Sequence, residues 1–266
     1  MILAIDVGNT DITFGTVRDG VIGTVARVHT ERDYTLAEYG MKLKALLEYY
    51  GVDPLGFEGA ILASVVPPVT NTLRLAVNRL TGLDCLIVGP GIRTGLNVRI
   101  DDPGTLAADL VVGSVAARSL YGEPAIVLEF GTATSMVVVD AKGSYRGGVI
   151  MPGVRLGLQA LSSGTSLLPD ISLTAPARVI GTNTADAMRS GAVYATASMV
   201  DGMIGRMEEE LGCSCTVVAT GLNAREILNH CRREIIYDEH LLLKGLWELY
   251  RRNRPDTTRK DASANA

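Results

Sequence analysis

Histidine and cysteine are scarce in this chain, with three of the first and four of the second among 266 residues. His29, His230 and His240 are scattered with no helix-spaced pair, so a histidine metal centre is not expected and all three read as surface positions. The cysteines are Cys85, Cys213, Cys215 and Cys231. Cys213-Ser214-Cys215 has no second pair at zinc-ligand spacing, so ordinary reduced thiols are expected. A basic excess is also missing. The formal charge is −4 and the pI about 5.5, which argues against a nucleic-acid backbone as partner. No run approaches the ~18 uninterrupted apolar residues of a membrane span. The start, Met1-Ile2-Leu3-Ala4-Ile5-Asp6, is too short and lacks the basic flank for a signal segment. These absences lead to the expectation of a cytoplasmic protein that engages neither membrane nor nucleic acid.

Apolar residues, by contrast, are plentiful: 47% against 20% charged. A chain of this length buries roughly 70–75% of its unfolded surface, enough for a core without disulfides or metals. At ~100–200 residues per domain, one large domain or two modest ones fit. Residues 255–266 are polar enough to expect disorder.

A repeat favours two. An apolar strand (Ile2, Leu3, Ile5) leads into Asp6-Val7-Gly8-Asn9-Thr10 and a returning strand (Ile12, Thr13, Phe14). Ala125 to Asp140 follows the same plan: Ile126-Val127-Leu128, then Glu129-Phe130-Gly131-Thr132-Ala133-Thr134, then Met136 to Val139. Each is strand, acidic-x-Gly turn, strand, with glycine supplying the backbone freedom that the turn needs. The repeat implies an internal duplication and two related α/β domains, divided as 1–117 and 118–266. Backbone N–H groups of such a turn hold phosphate oxygens, and its hydroxyls add donors. The carboxylate would repel a phosphate unless a cation lies between, so the acidic residue implies a bound metal.

Paired hairpins of this kind resemble those of the actin, hexokinase and acetate-kinase superfamily. Asp6-Val7-Gly8-Asn9-Thr10 with Gly15 resembles the type III pantothenate kinases in particular. The likeness continues in order through Gly95-Leu96, Pro103, Ala108-Asp109, Gly131-Thr132-Ala133-Thr134 and Gly147-Gly148-Val149-Ile150-Met151-Pro152-Gly153. It goes on through Thr165, Leu168-Pro169, Gly181-Thr182-Asn183-Thr184, Ser190-Gly191, Ala219-Thr220-Gly221 and Leu243-Lys244-Gly245-Leu246. The resemblance implies two ribonuclease-H-like domains facing across a nucleotide cleft, assembled as a homodimer. It implies ATP-dependent phosphorylation of pantothenate, the first step towards coenzyme A.

Site roles follow from the same resemblance. Asp6, Val7, Gly8, Asn9, Thr10, Asp11, Ile12 and Thr13 become the ATP loop, with Asp6 reaching the phosphates through Mg²⁺ and water. Thr132 of the second loop touches the nucleotide. Glu129 takes the place of a family aspartate that helps bind potassium or ammonium, and its side chain is longer by one C–C bond, roughly 1.5 Å. Asp109, in the first turn of a helix expected from the spacing of Leu106, Leu110, Val111 and Ser114, becomes the general base. Ile100, Ala107, Ala108, Leu110 and Thr184 take acceptor-pocket positions. Leu110 stands for a family arginine, Ile100 for a tyrosine and Ala107 for a glycine, which makes the pocket more apolar. Two other readings stay open at this point: a kinase of another small alcohol, and an idle nucleotide-binding relative with a regulatory role.

Elsewhere the residues read structurally. Thr184 to Leu211 is expected as one helix rich in small residues, with Thr184 as its N-cap. Leu242, Leu246 and Leu249 mark a C-terminal helix whose end, Arg251, Arg252 and Arg254, is read as solvated.

Overall fold

The structure, a computed structural model, describes residues 1–254. It is mixed α/β, with a five-stranded and a six-stranded sheet. Two compact units result. One comprises Met1–Gly95, Ala107–Val112 and the segment that begins at Leu243; the other comprises Leu96–Leu106 and Gly113–Leu242. A single cut at 117/118 therefore does not describe the division. Side chains of the C-terminal helix explain why. Leu243 occupies the space where a Cβ on Gly15 would sit, 2.6 Å away, and the Tyr250 ring does the same at Gly59. Tyr250 also donates to the Glu58 carbonyl (3.3 Å).

In the first unit, β1 (Ile2–Val7), β2 (Asp11–Arg18) and β3 (Val21–His29) form an antiparallel meander, with β4 (Gly59–Ser64) and β5 (Cys85–Ile87) added parallel to β1. Asp19 (φ 52°) and Gly20 (φ 81°) make the tight β2–β3 turn, which needs positive φ at both central positions. A register shift follows between Gly15 and Val17, where β2 bulges. Helices α1 (Leu36–Tyr49) and α2 (Pro67–Thr81) return the chain to the sheet. A capping box of Thr35 and Glu38 starts α1; Pro67 opens α2 and Gly82 (φ 73°) closes it. Strand alternation turns Leu3, Ile5, Val7, Ile12 and Phe14 toward Tyr39, Leu43, Leu47, Val69, Leu73 and Val77 in one core. Asp6 and Thr13 fall on the opposite face.

The second unit repeats this plan. β7 (Ala125–Phe130), β8 (Ala133–Val139) and β9 (Ser144–Pro152) form the meander, and β10 (Thr216–Thr220) and β11 (Ile236–Tyr237) add parallel to β7; the short β6 (Asn97–Val98) pairs outside β9. Apart from β6, the order β11-β10-β7-β8-β9 matches β5-β4-β1-β2-β3 strand for strand. Both units are ribonuclease-H-like. Helix α3 (Ala108–Tyr121) precedes β7, and α4 (Val154–Gly164), α5 (Thr184–Ser190), α6 (Thr196–Leu211) and α7 (Ala224–Leu228) complete the unit; α8 (Leu241–Asn253) ends the described chain.

Several sequence expectations change in detail. The 184–211 helix is interrupted by a π-helical turn, Gly191–Ala195. Its N-cap is Asn183, whose side chain accepts from the Asp186 N–H (2.9 Å), so Thr184 is the first helical residue. Along α8 the buried leucines are Leu241, Leu243, Leu246 and Leu249, and Leu242 is only half-buried. Arg252 donates to the Thr94 carbonyl (3.3 Å), and Arg251 pairs with Glu248 (2.8 Å), so this helix end is anchored as well as solvated. His29 is exposed, but His230 and His240 are half-buried, and Nδ1 of His240 is buried without a hydrogen-bond partner. The polar stretch 255–266 lies outside the described residues.

Candidate functional site

The first loop spans Gly8 to Asp11, between the Val7–Ile12 pair and the strand ends. Its closing hydrogen bond runs from the Gly8 N–H to the Asp11 carbonyl (2.9 Å). Asn9 and Thr10 are exposed at its tip. The segment after β3 braces it from one side. Thr30 Oγ1 donates to the Gly8 carbonyl (2.7 Å), the Thr30 N–H to the Thr10 carbonyl (2.9 Å), and Arg32 Nη2 to Asn9 Oδ1 (3.1 Å). His29 Nδ1 lies 3.0 Å from Asp11 Oδ1. Three residues, His29, Thr30 and Arg32, thus brace the loop through four contacts.

Asp6 sits at the carboxyl end of β1, the end at which parallel α/β sheets present ligands. Asp109 lies in the first turn of α3, where its Oδ1 accepts from the Leu110 N–H (2.7 Å). The structure brings these two carboxyls together within the first unit. Burial, then the nearby Asp109 charge, pushes the Asp6 carboxyl up to about 7, against a smaller opposing pull from Arg27. Burial likewise raises Asp109, with backbone N–H groups opposing. Two interacting, half-buried carboxyls are costly unless they share a proton, a cation or a substrate hydroxyl.

The second loop is one residue shorter: Gly131 to Ala133 lie between Phe130 and its partner Thr134. The Gly131 N–H donates to the Ala133 carbonyl (3.0 Å), and the Gly153 N–H to the Thr132 carbonyl (3.0 Å). Gly153 is required there, because a Cβ would collide with the carbonyls of Gly131 and Thr132. Cross-strand partners place Glu129 between Ser135 on β8 and Thr220 on β10. Both hydroxyl residues are buried, at 6% and 3% exposure. A carboxylate with flanking hydroxyls is an all-oxygen donor set, which suits a hard cation.

The remaining expected residues divide. Ala107, Ala108 and Leu110 stand beside Asp109 in the first unit, all half-buried. Ile100 belongs to the second, where its side chain lies 3.6 Å from the position a Cβ on Gly147 would take. Thr184 opens α5, also in the second unit. Cys213 and Cys215 join no group of three or more metal-ligating side chains among the described residues. Sequence reasoning missed Arg27, Thr30 and Arg32. Their contribution depends on how β3 registers against β2, which the motif itself does not encode.

A family model described as type III pantothenate kinase matches residues 2–206. The type III pantothenate kinase of Bacillus cytotoxicus is 40% identical over 253 residues, covering 95% of this chain and 97% of that protein. Among solved structures, a Baf-family protein of Campylobacter jejuni, provisionally described as a transcriptional activator, aligns with a TM-score of 0.60 at 17% identity. It covers 94% of this chain and 98% of its own. A provisionally described 2-dehydro-3-deoxygalactonokinase of Sinorhizobium meliloti gives 0.59 at 13% identity, over 96% and 97%. At such identities these two structures establish the shared fold alone.

Proposed function

We propose that this chain, which belongs to the type III pantothenate kinase family, transfers the terminal phosphoryl group of ATP to the primary hydroxyl of pantothenate, the first step towards coenzyme A. The observation that carries the reading is the Asp6–Asp109 pair, which joins a phosphate-loop acid to a second carboxyl able to take the acceptor's proton. In the reaction the O–P bond to the ADP leaving group breaks as the pantothenate O–P bond forms, and the hydroxyl proton passes to Asp109. A carboxyl raised by burial is a stronger base than one in water, which suits that task near neutral pH.

Asp6, Val7, Gly8, Asn9, Thr10, Asp11, Ile12 and Thr13 bind the nucleotide in this reading, with Thr132 as a further contact. The two interacting carboxyls fit Mg²⁺, which Asp6 would hold through water and which would offset phosphate charge. Glu129, with Ser135 and Thr220 beside it, fits potassium or ammonium. Ile100, Ala107, Ala108, Leu110 and Thr184 line the acceptor pocket. Leu110 in place of an arginine removes one charge-assisted hydrogen bond, roughly 1.5–3 kcal/mol, so pantothenate is held more by apolar contact. A homodimer is the assembly implied by the family, and Ile150, Leu156, Leu161, Leu167 and Ile180 leave apolar surface exposed for it. No helix of the described residues is long and apolar enough to cross a membrane, which is compatible with a cytoplasmic enzyme.

The test is ATP consumption with pantothenate against a panel of other small alcohols, in potassium, ammonium and sodium salts at matched ionic strength. Turnover with pantothenate, faster in potassium or ammonium, is expected. Turnover with a different alcohol alone would move the assignment to that acceptor, and ATP binding without turnover would make the chain a nucleotide-binding relative. Leu110→Arg should lower the KM for pantothenate and leave ATP binding unchanged. Sedimentation of the free protein reads the dimer.

A further inference from the structure

One charged group near Asp6 has no part in the reading above. Across the face of the first sheet that carries Asp6, the register runs Ala63 on β4, Asp6 on β1, Thr13 on β2 and Arg27 on β3. Directly paired residues share a face, and adjacent strands lie about 4.7–4.9 Å apart. The Arg27 backbone therefore stands about 10 Å from that of Asp6, with the Thr13 side chain between them. The bulge between Gly15 and Val17 creates this placement. The pairing beside the turn, Arg18 with Val21 and Val17 with Ile22, would continue to set Arg27 opposite Ile12, on the core face; the shift sets it opposite Thr13.

Arg27 is half-buried, and among the described residues its side chain makes no hydrogen bond or ion pair. Its charge reaches Asp6, yet the two form no direct bond. A guanidinium that has lost part of its hydration without gaining a partner pays a desolvation cost, which a bound anion would remove. The segment that follows it fixes its position. His29, Thr30 and Arg32, two to five residues on, are the groups that grip Asp11, Gly8 and Asn9 of the first loop. The anion that this loop is built to hold is a phosphate chain. Asp109 marks where the acceptor hydroxyl comes in, so the part of the chain nearest Asp6 and Asp109 is the group being transferred.

We infer that Arg27 is a catalytic residue of this enzyme, its guanidinium donating to non-bridging oxygens of the terminal phosphoryl group from the sheet side, across Thr13. The planar fork suits two parallel bonds to such oxygens, and charge that builds on them during transfer meets a cation already in place. Arg27 gives and takes no proton; that remains with Asp109. The inference rests on the phosphoryl-transfer reading proposed above.

Arg27→Gln and Arg27→Lys, each checked for an unchanged melting temperature, are compared with the parent for kcat and for binding of ADP and the non-hydrolysable triphosphate adenylyl imidodiphosphate with Mg²⁺. Arg27→Gln should lower kcat by roughly 10- to 150-fold, the worth of one charge-assisted bond. It should weaken the triphosphate more than ADP. Arg27→Lys should recover part of both, and millimolar guanidinium ion should restore part of the rate of Arg27→Ala. An unchanged kcat with an unchanged triphosphate-to-diphosphate preference overturns the inference. So does an equal loss for both nucleotides that neither lysine nor guanidinium repairs, which would mark Arg27 as a packing residue. A parent enzyme inactive with pantothenate defeats the acceptor assignment instead, and the nucleotide preference still decides Arg27.

Discussion

The two hairpins are built on one plan, yet their acidic residues keep different company. On the first sheet, Asp6 shares its row with Thr13 and Arg27 and interacts with Asp109, so its surroundings are a second acid and a cation. On the second, Glu129 lies between the buried hydroxyl residues Ser135 and Thr220. Duplication preserved the strand order, and what diverged is the side chain at one cross-strand position on each side. A carboxyl beside another carboxyl is suited to proton and divalent-cation chemistry. A carboxylate flanked by hydroxyl oxygens offers an all-oxygen donor set of low charge, which suits a singly charged ion.

The largest expected effect separates the two rows by rate. Asp109→Asn should cut kcat by about 10²–10⁴, the usual worth of a positioned general base, with little loss of ATP affinity. A silent Asp109→Asn would remove the distinction between the two acids. Asp6→Asn should reduce turnover in every salt. Glu129→Gln should instead flatten the difference between potassium and sodium, and equal rates of the unmodified enzyme in those salts would show that the second row holds no activating ion.

Stability offers a comparison of similar size. The Asp6 carboxyl is raised from an ordinary value of 3.8 to about 7, so burial favours its protonated form. The stabilisation is complete below pH ~4 and is lost as the pH rises through 7, because the folded protein must then ionise a buried acid. In metal-free protein the advantage of Asp6→Asn over the parent should therefore grow from pH 4 to pH 8, to at most about 4 kcal/mol. Denaturant titrations with a chelator present read this directly, and a pH-independent difference would contradict it. Mg²⁺ with nucleotide should narrow the gap at pH 8.

A smaller effect tests the brace of the first loop. Thr30→Val removes the bond to the Gly8 carbonyl and keeps the shape. It should raise the KM for ATP by roughly 2- to 10-fold with kcat held, the worth of one neutral hydrogen bond. In the second loop the corresponding brace on the Thr132 carbonyl is a backbone N–H, that of Gly153.

Both hairpins were legible in the sequence because their signal is local: apolar alternation, then an acid and a glycine at fixed offsets. Asp109 was legible through the family motif around it. Arg27 was not, although the Asp19-Gly20 turn predicts which strands pair. Counting outward from that turn places Arg27 on the wrong face, and only the bulge in β2 corrects the count. The cap at Asn183 was missed by one residue, because asparagine and threonine in succession both suit an N-cap and the choice depends on the Asp186 N–H. A single boundary at 117/118 failed for a long-range reason: Leu243 and Tyr250 fill spaces above glycines on strands more than a hundred residues earlier.

That last feature sets an order of events during synthesis. Chains usually complete their amino-terminal domain while the rest is still being made. Here the sheet bearing Asp6 is made before the second unit, but the helix that fills its glycine notches is made only after Leu242. At roughly 5–20 residues per second, the interval is on the order of ten seconds. The nascent sheet waits through it with Gly15 and Gly59 uncovered, an apolar surface of the sort chaperones hold. A chain released at Leu242 would therefore carry every residue of the second unit and lack the helix that completes the first.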